Sequence, residues 1–147
     1  MSIDDDVALL ERVPTLRLLG MTALRMLAIG SEQRDFSRGE QLFAAGDEAD
    51  AGYIVQRGAF RVADDQGAEM IAGVGTLIGE LALVVAMQRP STATALENAT
   101  VIRVARSLFQ RVLESDPEAA RRLRDAFASR TSQIASDILM AGAKLTI

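Results

Sequence analysis

Across residues 1–30 apolar positions recur at helical intervals. Val7 to Leu10 and Leu16 to Leu19 keep this spacing and are separated by Pro14; Met21 to Ile29 puts Leu24, Leu27 and Ala28 on one face, with Gly30 as the expected stop. From residue 31 the pattern shortens into alternating runs. Turn signals cut these runs at Arg38-Gly39, Gly46-Asp47, Arg57-Gly58, Asp64-Asp65-Gln66-Gly67, Gly73 and Gly75. Tyr53-Ile54-Val55, Phe60-Arg61-Val62, Met70-Ile71-Ala72 and Thr100 to Val104 read as strands, and short strands at this spacing predict a small barrel or jelly roll. After Ala105 the helical period returns. Ser107 is the expected cap of a helix to about Glu114, and Asp116-Pro117 opens a longer helix with Leu123, Phe127, Ile134 and Ile138 as its apolar stripe. No linker, repeat or low-complexity stretch divides the chain. The expectation is one α+β domain over 1–147, with N-terminal helices over 1–30, a β-barrel over 31–105 and C-terminal helices over 106–147.

The segment from Gly79 to Ala95 carries the candidate chemistry. Glu80 and Arg89 stand either side of a short apolar, helix-prone stretch, and the Thr/Ala alternation of Thr92 to Ala95 suits a following strand. An arbitrary Glu/Arg pair at this separation is a solvated ion pair worth under about 1 kcal/mol. Here the flanks are apolar, so the pair reads as part of a buried cup. Arginine offers a planar fork of donors to a phosphate, glutamate accepts from hydroxyls, and the first amides of the turn, those of Leu81, Ala82 and Leu83, are expected to be free to meet phosphate oxygens.

Gly79-Glu80-Leu81-Ala82-Leu83, a spacer, then Arg89-Pro90-Ser91-Thr92-Ala93 resembles the phosphate-binding cassette of cyclic nucleotide-binding domains. The resemblance continues outside the cassette. Phe36 to Phe43 with Gly46 to Asp50, Tyr53 to Gly58, Gly73 to Gly79 and Leu96 to Val101 are similar to the strands and turns that surround it in that family. The resemblance implies an antiparallel β jelly-roll barrel with N-terminal helices, a short cassette helix within residues 79–92 and two C-terminal helices. It implies that Gly79, Glu80, Leu81, Ala82, Arg89, Pro90 and Ser91 contact the ligand, with Glu80 on the ribose 2′-hydroxyl and Arg89 on the phosphate. By position, Ile138, Leu139 and Met140 are candidates for a lid over the base. Pro90 departs from the pattern, because the family places Ala, Ser or Thr there and proline has no amide hydrogen. One hydrogen bond lost to a charged group costs about 1.5–3 kcal/mol, roughly ten- to a hundredfold in affinity, unless Ser91 replaces the donor. Because a hydroxyl at this position favours guanine in cGMP-preferring relatives, Pro90 tilts the reading toward cAMP.

Composition removes other classes. The chain has neither cysteine nor histidine, so disulfides, thiolate catalysis, the commonest zinc and haem ligand, a histidine base and a cupin-type metal site are not expected. The net charge of −4 argues against a nucleic-acid partner. The acidic start is not a secretory signal, and apolar runs such as Leu81 to Met87 are far below the roughly 20 residues that span a bilayer. Gly73-Val-Gly-Thr-Leu-Ile-Gly79 has the wrong spacing for a dinucleotide loop and reads as turn glycines.

The sequence-based expectation is a cytoplasmic, non-enzymatic sensor of cAMP or cGMP, with no cofactor beyond that ligand and no membrane partner. It would signal through its C-terminal helix to a downstream protein the sequence does not name. The spacing of Leu123, Phe127, Ile134 and Ile138 would also suit the seam of a homodimer, and the Met1 start is read as that of a complete protein. The competing expectation is a ligand-free domain of the same fold that acts as an interaction scaffold.

Overall fold

The computed structural model describes residues 2–126 and 128. It opens with α1 (Ile3–Glu11), α2 (Pro14–Arg17) and α3 (Met21–Gly30). Ser2 caps α1 in a reciprocal box with Asp5, and Pro14 begins α2, where a missing amide hydrogen costs nothing. The strands are β1 (Glu32–Phe36), β2 (Gln41–Phe43), β3 (Glu48–Ala49), β4 (Ala51–Arg57), β5 (Phe60–Ala63), β6 (Glu69–Ala72), β7 (Leu77–Ile78), β8 (Met87–Gln88), β9 (Thr92–Ala95) and β10 (Ala99–Ala105). A single 3₁₀ turn, Glu80–Leu83, lies between β7 and β8, and α4 (Arg106–Ser115) follows β10.

The strands pair antiparallel as two four-stranded sheets, β1-β10-β4-β7 and β2-β9-β5-β6, with β3-β8 as a short ribbon. This is the expected α+β jelly-roll arrangement. Tyr53, Val55 and Val101 from the first sheet and Phe43, Phe60, Ala93 and Ala95 from the second bury one core between the sheets. On the outer face of β4 and β10, Ile54, Ile102 and Val104 join the leucines of α1 to α3, Phe109 and Val112 of α4, and Leu83 of the 3₁₀ turn in a second core. That double burial explains why β4 reads as a continuous apolar run instead of an alternating one.

Two helix boundaries differ from the sequence reading. Gly30 is the last residue of α3 and not a stop beyond it; the cap is Ser31. Ser107 sits within the first turn of α4, whose cap is Ala105, with no side-chain hydrogen bond. The short cassette helix is present, as a single 3₁₀ turn. Asp116 caps the next helix as expected, through its carboxylate to the Ala119 amide at 3.2 Å, and residues 117–126 are helical. Leu123 on that helix is buried, while Arg122 donates to the carbonyls of Leu18 and Leu19 at 2.7 and 2.9 Å. This ties the helix to the end of α2. Phe127, Ile134, Ile138, Leu139 and Met140, expected in the stripe or lid, lie outside the described residues.

Candidate functional site: the cassette cleft

The cleft forms where the 3₁₀ turn leaves the first sheet and the chain returns through β8 into β9. Its volume is about 280 Å³, near the lower end of the roughly 300–1,000 Å³ of small-molecule pockets. All the expected ligand residues line it: Gly79, Glu80, Leu81, Ala82, Arg89, Pro90 and Ser91. It also draws in Phe43, Val62, Met70, Leu77, Ile78 and Met87, which the sequence reading did not single out. Those additions are apolar, so a few polar groups act against a largely hydrocarbon wall. A groove of similar size at Asp35, Arg57 and Asn98 is a different case, because its buried hydroxyl, that of Thr100, already donates to Asp35 at 2.8 Å.

Gly79 precedes the turn in the left-handed region, at φ 77° and ψ 38°. A Cβ there would lie 2.4 Å from Nη1 of Arg89, so glycine is required both by the backbone and by the guanidinium beside it. Leu83 anchors the other end of the turn against β4. Gly52 lets it approach, since a Cβ at that position would meet Leu83 at 3.1 Å. One expectation is corrected: the amide of Ala82 is not free, because it donates to the Gly79 carbonyl at 3.1 Å as part of the 3₁₀ turn.

Arg89 is 4% exposed. Its backbone is pinned on both sides, with its amide donating to Asp47 O at 2.7 Å and its carbonyl accepting from Gly46 N at 2.8 Å. Its guanidinium stacks 4.2 Å from the Phe43 ring centre and 5.4 Å from that of Tyr53, and Nη2 donates to Ala51 O at 2.8 Å. Nε is buried without a hydrogen-bond partner. No carboxylate among the described residues forms an ion pair with this cation.

The contrast with Arg103 is informative. Burial pulls the pKa of Arg103 down, but Tyr53, Asp50 and Glu32 outweigh it and leave it raised; Arg103 pairs with Asp50 at 3.1 Å and with Glu32 at 3.6 Å. For Arg89, burial pushes the pKa below its ordinary value, Tyr53 and Asp50 offset this only in part, and Arg103 adds repulsion. The folded chain therefore holds a desolvated cation with donor capacity in reserve. An anion in the cleft would relieve both conditions.

Two contacts escaped the sequence reading. Thr15, from α2 and only 8% exposed, donates through its hydroxyl to Oε1 of Glu80. Arg106, the first residue of α4, donates through one Nη1 to the carbonyls of Ala49, Ala82 and Val85 at 2.9, 3.2 and 3.0 Å, and its amide donates to Asp50 O at 2.8 Å. Arg106 thereby clasps the end of the cassette turn from behind. Replacing it with alanine strands those carbonyls, and we expect faster amide exchange concentrated in residues 80–86. Exchange that rises evenly across the sheets would show general destabilisation instead.

Comparison with known proteins agrees with this fold. The family model described as the cyclic nucleotide-binding domain matches residues 33–116. The chain is similar to the crystal structure of the N-terminal domain of a transcriptional regulator from Streptomyces coelicolor A3(2), with 28% identity and a TM-score of 0.80 over 88% of this chain and 94% of that one. It is also similar to a cyclic nucleotide-binding-like protein from Brucella abortus, with 35% identity and a TM-score of 0.68 over 76% of this chain and 99% of that one. An uncharacterized NTE family protein of Mycobacterium tuberculosis is 34% identical over 111 residues, which are 74% of this chain but 19% of that protein. The chain thus spans about a fifth of that curated relative. It belongs to the cyclic nucleotide-binding domain family. Among the described residues no helix is long and apolar enough to cross a membrane.

Proposed function

We propose that residues 1–147 act as one non-enzymatic regulatory unit that binds a cyclic nucleotide in the cassette cleft, cAMP ahead of cGMP, and passes the binding event to its C-terminal helices. The observation that carries this reading is Arg89: a buried cation, stacked on Phe43, with an unpartnered Nε and no ion pair to a carboxylate among the described residues. In this reading the guanidinium takes the ligand phosphate, Glu80 accepts the ribose 2′-hydroxyl, and the base lies along the apolar wall of Val62 and Met70. Ser91 takes the place of the donor that Pro90 lacks. The preference for cAMP rests on Pro90, which offers no hydroxyl to a guanine.

Signalling in this reading is a population shift, limited by the ligand's difference in affinity between two arrangements of the helices. Arg106 joins the cassette to the first residue of α4, and Arg122 joins the following helix to α2; these contacts support a route from the cleft to the C-terminal helices. The proposal extends to a cytoplasmic setting, to pairing of two copies through the C-terminal helix, and to a downstream protein partner. No nucleic acid or membrane contact is part of it.

Equilibrium binding of cAMP and cGMP at one ionic strength tests the ligand assignment. Saturable binding of both, tighter for cAMP, is the expected result; the reverse order overturns the role given to Pro90. A second reading, a scaffold that has lost its ligand, draws on Pro90 and on the Ala51 carbonyl that already occupies Nη2 of Arg89. Failure of both nucleotides to bind at millimolar concentration would favour it.

A further inference from the structure

We propose that Phe43 is a positioning residue for Arg89, a ring that orients the buried guanidinium without occupying the N–H groups a phosphate needs. The inference rests on the reading of Arg89 as the phosphate-binding group. Two kinds of partner can hold a cation in such a place. A carboxylate takes hydrogen bonds in the plane of the guanidinium, and an arriving phosphate would have to displace it. An aromatic face attracts the cation from its flat side and takes none of those in-plane donors. The described residues supply the second kind. The Phe43 ring centre lies 4.2 Å from Cζ of Arg89, while Asp50 is paired with Arg103 at 3.1 Å. Nη2 donates to Ala51 O, and Nε keeps no partner. The fold fixes this ring. Phe43 ends β2 opposite Ala93, on the strand that follows Arg89, and is 8% exposed. Tyr53, on β4 opposite Ile78, adds a second ring 6.1 Å from the first and 5.4 Å from the guanidinium. Each sheet thus supplies one ring to the core between them, and neither ring can turn away without opening that core. Arginine has several side-chain torsions to settle, and a seat that settles them before ligand arrives removes that cost from binding.

The test sets cAMP affinity beside a magnetic-resonance signal from Arg89 itself. Phe43→Leu keeps an apolar side chain and removes the ring, Phe43→Tyr keeps the ring, and Arg89→Met checks the phosphate assignment in parallel. Affinity for cAMP should fall about three- to thirtyfold in Phe43→Leu, and Phe43→Tyr should recover most of that loss. In the unliganded wild-type chain the Nε–H proton of Arg89 should be shifted upfield by the ring. In Phe43→Leu it should return to the range of exposed arginines. Wild-type affinity in Phe43→Leu, equal weakening in Phe43→Leu and Phe43→Tyr, or an unshifted Nε–H would mean that Phe43 only packs, and each overturns the proposal. If Arg89→Met binds cAMP as tightly as the wild type, or the wild type binds none, the phosphate assignment itself fails and the proposal with it. That outcome is distinct from the others. Should Phe43→Leu not fold, a ring-fluorinated phenylalanine in place of Phe43 keeps the shape and weakens the negative ring face. Its cAMP affinity should also fall, and unchanged affinity would overturn the proposal.

Discussion

Arg89→Met is expected to weaken cAMP binding by at least about a hundredfold while leaving the unfolding free energy within about 1 kcal/mol of the wild-type value. Truncating one partner of a buried, charge-assisted contact costs about 2–5 kcal/mol, and 3 kcal/mol corresponds to roughly a hundredfold in affinity. The stability half of this prediction comes from the unliganded environment of the cation. Arg89 is desolvated, its Nε is unpartnered, and its pKa is pushed down mainly by burial. An apolar side chain of similar length retains the packing against Phe43 and removes the desolvation cost, while losing the bond to Ala51 O. Such exchanges of buried charge for hydrocarbon are often neutral or stabilising. Denaturant unfolding beside ligand titration separates the two halves. A loss of more than about 3 kcal/mol of stability would identify Arg89 as a structural anchor instead of a ligand-binding group.

Gly79→Ala should damage both binding and stability, through separable causes. The left-handed backbone at φ 77° costs an L-residue about 1–2 kcal/mol, which for a domain of this size lowers the melting temperature by about 3–8 °C. The added Cβ would lie 2.4 Å from Nη1 of Arg89, so the guanidinium must move from its seat between Phe43 and Ala51 O. We expect at least a tenfold loss of cAMP affinity. Gly79→Asn tells the causes apart, because asparagine tolerates the left-handed region yet carries the same Cβ. Melting temperature should recover in part in Gly79→Asn, and affinity should not. Recovery of both would show that backbone strain alone accounts for the effect.

What could be read from sequence was local. The cassette is contiguous, so Gly79, Glu80 and Arg89 announce themselves within one short window, and the structure brings them into a single cleft. Strands β4, β5, β6 and β10 were visible because each carries a cluster of apolar residues, whereas β1, with five residues, is polar at all but Phe36. By contrast, β3, β7 and β8 have two residues each, too few to display any alternation. The contacts that hold the site together connect distant parts of the chain. Thr15 meets Glu80, Phe43 lies beneath Arg89, and Arg106 reaches Ala82 and Val85, and no pattern at Thr15 or Arg106 marks either one. The amide of Ala82 was misjudged for a geometric reason. A 3₁₀ turn closes its bonds one residue earlier than an α-helix, so the amide of Ala82, its third residue, already reaches the carbonyl of Gly79.

Isothermal titration of the wild-type chain and Arg89→Met with cAMP tests most directly the claim that Arg89 is held for an anionic ligand. The wild-type protein should give a saturable heat with one site per chain, and Arg89→Met, verified as folded, should give none over the same concentrations. Equal heats from the two proteins, or none from the wild type, would contradict the assignment.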